Sequence, residues 1–485
     1  MSAKFARRRA VLALGLCALG IVVALLVVRG GGALPAPGPA PIVDGAGPGD
    51  PFAYRSAQES QFVARATVGN VHVLFAKSPG GVPATAARVA AWRPAIDRAV
   101  AGTGISARLL EGLVFVESAG RPEAIAGSDP ANAAGLTQIL AQTGQSLLGM
   151  HIDLAASRRL TRQIDAIPAG TAGGADKQLR RLLARRAAID DRFDPRRALA
   201  ATVRYLEIAR RHFGRIDLAI ESYHMGIGNL GDVLADYDHG RPVPYAQLYF
   251  DSAPDRHAAA YRLLAGFGDD SSLYLWRVLG AVAVMHLYRG DRSALAHLTA
   301  LQTADDAGAA VLHPPDRVRP YADPAALSAA YQGRALEPLP ANAAALGLSI
   351  SASMGAGAAG VGAPRSLYRG LAPLALRVLV DIAAQVRRLS RVAAPLTVAS
   401  TVADERYQRR TGDSFAAAAT GYAFSIRRAY ASGAQAEAFQ AVLDRLQSLN
   451  LIAWAREPDV IHITVASDAA AWLASEGKHL GRLVG

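Results

Sequence analysis

Apolar residues recur at three- and four-residue spacing from about residue 55 to residue 300, the period of helices that bury one face. Residues 105–116 show it well. Leu109, Leu110, Leu113 and Val114 form one stripe, and Ser106 stands where an N-cap belongs. Residues 179–189 (LRRLLARRAAI) predict a basic amphipathic helix inside a longer 151–193 segment. The style changes after about residue 366. Residues 396–400 and 461–465 read as strands, whereas 434–449 keep the helical period. The pattern predicts a mainly α protein, with a large helical domain over 53–300 and a small α+β domain over 366–485. Residues 301–365 hold several prolines and the run SISASMGAGAAGVGAP, a linker by composition.

The N-terminus has a different character. Residues 10–28 carry no charge, and Lys4, Arg7, Arg8 and Arg9 precede them. About 20 apolar residues span a hydrocarbon layer, so residues 10–28 read as a transmembrane anchor. The basic segment 1–9 then stays in the cytoplasm and the rest of the chain lies outside. A long cleaved signal peptide is the alternative. Residues 29–52 are a Gly/Pro/Ala spacer with nothing to bury, an extended tether.

Composition narrows the partners. The 485 residues are 51% hydrophobic but only 6% aromatic, which favours close packing of small-residue helices. A formal charge of +12, mostly arginine, suits a polyanionic neighbour: nucleic acid, a membrane face or a cell wall. No helix-turn-helix, zinc-finger or single-strand-binding pattern accompanies it, so nucleic acid is set aside. Cys17 is the only cysteine, which excludes an internal disulfide and a cysteine metal site.

Chemistry enters with a set of short motifs in fixed order. Glu117-Ser118 comes first, then Gly135-Leu136-Thr137-Gln138, then Ser222-Tyr223-His224-Met225-Gly226. Phe193-Asp194-Pro195 and Tyr205-Leu206 lie between them, and Asp270-Ser271-Ser272-Leu273-Tyr274-Leu275 comes last. Each is weak alone. The ordered set resembles the active-site signature of the bacterial soluble lytic transglycosylases, lysozyme-like enzymes that cleave peptidoglycan glycan strands. Members of that family read E-S, G-L-M-Q, A-Y-N-A-G and then E-T-x-x-Y-V. The resemblance implies a lysozyme-like helical domain with Glu117 as acid and then base. It also implies that Tyr223 holds the glutamate by a hydrogen bond and that Tyr274 is a second active-site tyrosine. Gly135 would let a sugar approach and Gln138 would hydrogen-bond it, with Ser118 and His224 completing the substrate contacts. Thr137 stands in place of the family's Met, His224 in place of Asn and Met225 in place of Ala. No cofactor is implied.

The residues around Glu117 suit that role physically. A carboxylic acid donates a proton near neutral pH only if its pKa is raised, and apolar burial does this. Val114, Phe115 and Val116 supply apolar neighbours, and residues 118–122 (SAGRP) break the helix to present Glu117 at a cleft wall. Glu111, on the same helix, reads as an exposed residue. One carboxylate suffices where the substrate's N-acetyl group assists. The resemblance implies that the sugar's own 6-hydroxyl then attacks, leaving a 1,6-anhydro-muramoyl end. Two rivals stay open: a hydrolytic muramidase on the same fold, and a non-catalytic wall-binding scaffold.

Residues 396–466 faintly resemble the zinc D,D-carboxypeptidases, through Thr420-Gly421-Tyr422-Ala423-Phe424-Ser425 and Glu457 to His462. Ala418 stands at the first histidine's place and Ser425 at the aspartate's. One remaining histidine cannot hold zinc, so no metal is expected, and His462 reads as a structural residue on its strand. Expected partners are glycan strands, the membrane and other wall enzymes. The 179–189 helix reads first as a solvated face and second as a contact for anionic wall polymer.

Overall fold

Two helices bring the distant motifs together. Helix Ala107–Ser118 runs antiparallel against helix Tyr274–Gly290 in the computed structural model, so that Glu117 and Tyr274 meet at one end. Gly112 permits the approach, because a Cβ there would stand 2.7 Å from the Val278 carbonyl oxygen. Leu110, Leu113 and Val114 are buried, as the stripe requires. Ser106 occupies the N-cap position, but its hydroxyl makes no capping bond. The structure describes residues 53–168, 174–268, 270–304, 307–313 and 318–470. The expected anchor (10–28) and tether (29–52) lie outside these. Among the described residues no helix is long and apolar enough to cross a membrane.

Helix makes up 60% and strand 9%, in keeping with a mainly α chain. Helix Pro195–Phe213 starts at Asp194, whose side chain accepts from the Arg196 and Arg197 N–H groups, with Pro195 in its first turn. It buries Leu199, Thr202, Tyr205 and Leu206. Helix Ile216–Met225 packs back against it and carries Tyr223. The 151–193 segment forms a hairpin of helices Leu154–Asp165 and Gly174–Ile189.

The C-terminal part is built on a five-stranded sheet of order β2-β4-β5-β7-β6. These are β2 (Leu348–Ile350), β4 (Leu396–Ser400), β5 (Ala423–Arg427), β6 (Ile452–Arg456) and β7 (Val460–Val465). Only the β2–β4 pair is parallel. β1 (Glu337–Pro338) and β3 (Gly370–Leu371) form a separate two-stranded ribbon. Helices Pro373–Ser390 and Gly433–Ser448 pack on each other, and Val378, Leu379, Phe439 and Leu443 are buried. The strands at 396–400 and 461–465 and the helix at 434–449 therefore stand within a residue of expectation. The sheet side and the helical side share one apolar core, and Arg65 Nη1 donates to the Leu449 and Asn450 carbonyls at 3.3 Å each.

The expectation of a linker over 301–365 is corrected. From residue 318 onward the segment is folded, with helix Pro324–Gln332, β1 and β2, and Leu327, Leu336, Leu348, Met354 and Val361 are buried. Its small residues serve contact, not flexibility. A Cβ at Gly357 would come 2.6 Å from Thr411 Cγ2, so a larger side chain would push the two segments apart.

Candidate active site

Glu117 occupies the last turn of its helix, which stops abruptly after Ser118. Ala119 adopts φ 53°, a left-handed conformation that costs a non-glycine residue about 1–2 kcal/mol. Two bonds from the neighbouring helices hold this end: Arg88 Nε donates to the Ala119 carbonyl at 3.0 Å and Trp92 Nε1 to the Gly120 carbonyl at 2.9 Å. The helix end is over-determined, the usual companion of strain at functional positions. Glu117 is thereby held at one place.

The loop carrying Gly135 to Gln138 is tied to that end. Ser118 is buried and its hydroxyl donates to the Leu136 carbonyl at 2.7 Å, so it joins loop to helix and is turned away from any substrate. Gly135 has φ 83°, and a Cβ there would stand 1.9 Å from the Arg192 carbonyl oxygen. The close approach that requires glycine is therefore to the protein's own backbone, not to a sugar as expected. Gln138 adopts φ 51°, and its Nε2 donates to the Gly135 and Ala124 carbonyls at 2.8 and 3.1 Å. Its amide nitrogen shapes the loop instead of reaching outward. Thr137 is fully buried, so its side chain does not replace the apolar sugar contact of the family's Met.

Two tyrosines close the cluster, with roles exchanged relative to expectation. Tyr274 Oη donates to Glu117 Oε1 at 2.6 Å. Tyr223 Oη instead donates to the Thr137 carbonyl at 2.8 Å and lies 3.2 Å from Thr202 Oγ1. Their rings stack 6.4 Å apart at 19°. His224, exposed, stacks on Tyr274 as well, at 5.2 Å and 8°. Glu117 keeps a partial opening to solvent while protein surrounds the rest of its carboxyl group. That desolvation pushes its pKa up from about 4.5 to about 7, against the opposing pull of the Tyr274 hydrogen bond. Burial, and then the nearby Glu117 charge, raise both tyrosines, which therefore stay neutral donors. The arrangement can hold a proton near neutral pH and release it to a partner.

Glu111 corrects another expectation. It is buried, not exposed, and pairs with Arg289 and, at 3.7 Å, with Arg93. It braces the other end of the helix pair.

One acid was missed. Glu221 is fully buried on helix Ile216–Met225, and its Oε2 accepts from the Leu275 N–H at 2.8 Å. It thus satisfies one of the orphan donors at the start of the helix that begins with Tyr274. The available signal was its spacing, three residues after Leu218 and four before Met225 on the buried stripe. Glu221→Ala is expected to cost about 1–3 kcal/mol in urea unfolding, with Glu221→Gln recovering most of it through the retained carbonyl. Equal losses for the two variants would refute a role for that hydrogen bond.

In the C-terminal part, Ser425 and His462 face each other in register across β5 and β7, with Oγ 2.7 Å from Nδ1. Phe415 packs on the imidazole at 4.3 Å, and Ala418 is buried. Among the described residues no group of three or more His, Cys, Asp or Glu side chains is placed to hold a metal ion. Compared with protein-family models and with curated proteins, the chain matches none.

Proposed function

We propose that this chain is a peptidoglycan lytic transglycosylase, cleaving the β-1,4 bond between N-acetylmuramic acid and N-acetylglucosamine. The observation that carries the proposal is Glu117, poised by burial near pKa 7 and held at 2.6 Å by the Tyr274 hydroxyl. Such a group is protonated in a large fraction of molecules at neutral pH and, once ionised, is a competent base. In the first step Glu117 gives its proton to the glycosidic oxygen, the C1–O bond breaks and the leaving sugar departs as an alcohol. The substrate's N-acetyl carbonyl shields the positive charge at C1. In the second step the Glu117 carboxylate takes the proton of the muramoyl 6-hydroxyl, whose oxygen bonds to C1. The product is a 1,6-anhydro ring, and Glu117 is protonated again. Burial of Glu111 in an ion pair with Arg289 and Arg93 supports a reading with a single working carboxylate.

The proposal extends to place: residues 10–28 anchor the chain in the membrane, the folded part faces the wall, and other wall enzymes are its natural partners. Mass spectrometry of fragments released from purified sacculi by the full chain tests the reaction. Anhydro-muramoyl ends are expected. Reducing ends would make it a muramidase, and sacculus binding without release would make it a scaffold.

Tyr274→Phe tests the hold on the acid. The donated bond favours the carboxylate, so its loss is expected to move the Glu117 pKa above about 7 and to shift the alkaline limb of the pH–rate profile upward. Activity should fall about tenfold through lost orientation. An unshifted profile would show that Tyr274 does not govern the acid.

A further inference from the structure

The helical hairpin beside the site carries more cations than its own packing uses. Arg186 is spent inside: it is buried, lies 3.7 Å over the Phe193 ring and donates to Thr161 Oγ1 at 3.2 Å. Arg158 is spent on the active-site loop, with Nε and Nη2 on the two Asp129 oxygens at 2.8 and 2.9 Å. Arg180 pairs with Asp176. Lys177, Arg181 and Arg185 are exposed and have no acidic partner among the described residues, as are Arg159 and Arg162 on the other helix.

The first three fall at i, i+4 and i+8 of helix Gly174–Ile189, so they form one straight row. Steps of about 6 Å give it a length of about 12 Å. The exposed positions among them are Gln178, Arg180, Ala184 and Ala188, with no aromatic or long aliphatic side chain to enter a bilayer, as a membrane-surface helix requires. Nor does a stacking aromatic interrupt the row, as single-stranded nucleic acid would use. An evenly spaced, rigidly mounted row matches a linear polymer with one fixed negative charge per repeat, and guanidinium forks suit phosphate oxygens.

The geometry points to the Lys177–Arg181–Arg185 row as a docking strip for a linear phosphodiester polymer of the cell envelope. The Arg158–Asp129 clamp ties this hairpin to the loop that ends at Gln138, so the strip is mounted on the same framework as that loop. The choice of an envelope polymer rests on the wall-facing placement proposed above, whereas the binding itself is independent of glycan cleavage and is tested apart from it.

The test measures binding of the full chain in non-ionic detergent to immobilised poly(glycerol phosphate) across a salt series. Wild type is compared with Lys177→Gln/Arg181→Gln/Arg185→Gln and with Arg181→Lys/Arg185→Lys. The triple variant is expected to bind at least tenfold more weakly at low salt, with a log–log salt slope smaller by about three. The charge-keeping variant should retain most of the affinity, and helical circular dichroism should not change. Undiminished binding by the triple variant would overturn the proposal, as would equal losses in the charge-keeping variant. Better competition by polyglutamate or by phosphatidylglycerol micelles than by the free polymer would overturn it in favour of a carboxylate or lipid contact.

Discussion

Glu117→Gln is expected to lower fragment release from sacculi by about 10²–10⁴-fold, the usual worth of a positioned acid–base group. The side chains are nearly isosteric, and Tyr274 can still donate to the amide oxygen, so the cluster should keep its shape. What disappears is the exchangeable proton. The same variant has a second, opposite signature. The folded protein holds Glu117 at about 7, whereas an unfolded chain leaves it near 4.5. Between those values the folded state binds the extra proton, so stability falls as pH rises through that window, by about 1.4 kcal/mol for each pH unit crossed. Below pH 4.5 the group is protonated in both states and the penalty is absent. Glu117→Gln, which cannot ionise, should therefore match wild type at pH 4 and exceed it in urea midpoint at pH 8. A dead enzyme with no gain at pH 8 would mean that Glu117 is not desolvated. A gain at pH 8 with undiminished cleavage would remove Glu117 from the chemistry. The pairing of lost activity with gained stability is what a site kept poised for function should show.

The parts of this site legible in the sequence are those set by local pattern. The stripe of Leu110, Leu113 and Val114 places the glutamate helix, and Asp194-Pro195 opens helix Pro195–Phe213, because caps and periodicity act within a few residues. Which tyrosine holds Glu117 is another matter. Tyr223 and Tyr274 are both aromatic, both near helix ends, and the choice depends on how helix Tyr274–Gly290 crosses helix Ala107–Ser118 at Gly112. A crossing 157 residues apart in sequence leaves no local trace. The same holds for Gly135 and for Gly357, where glycine reports a neighbour's backbone or side chain that the linear text does not name. Glycine says that something is close, but not what. The supposed linker failed for this reason: alanine and glycine runs look alike whether they are loose or tightly packed.

Arg192→Ala is expected to be the most damaging change away from Glu117, at about 3–5 kcal/mol. Arg192 and Asp190 are both fully buried, joined by Nη2–Oδ2 at 2.7 Å and Nε–Oδ1 at 2.9 Å. Removing the guanidinium strands a buried carboxylate that retains the Ser157 hydroxyl at 2.8 Å and the backbone N–H of residue 192 at 3.2 Å, two neutral donors that are too little to offset its desolvation. It also frees the Asn132 carbonyl, which Arg192 Nη1 now serves at 3.0 Å, and takes one of two donors from the Ile139 carbonyl, which keeps the Ala134 N–H at 3.1 Å. Those carbonyls bracket the loop whose Leu136 and Thr137 oxygens receive Ser118 and Tyr223. Loss of stability and loss of cleavage should therefore travel together, unlike their opposition at Glu117. The double variant Arg192→Met/Asp190→Leu separates the two causes. Replacing both charges by apolar groups removes the stranded carboxylate and should restore part of the stability. The loop still lacks the Arg192 Nη1 donor to the Asn132 and Ile139 carbonyls, so cleavage should recover less than the urea midpoint does. If Arg192→Ala cost under about 1 kcal/mol, or if the double variant restored both properties in full, Arg192 would not be the support beneath the Gly135–Gln138 loop.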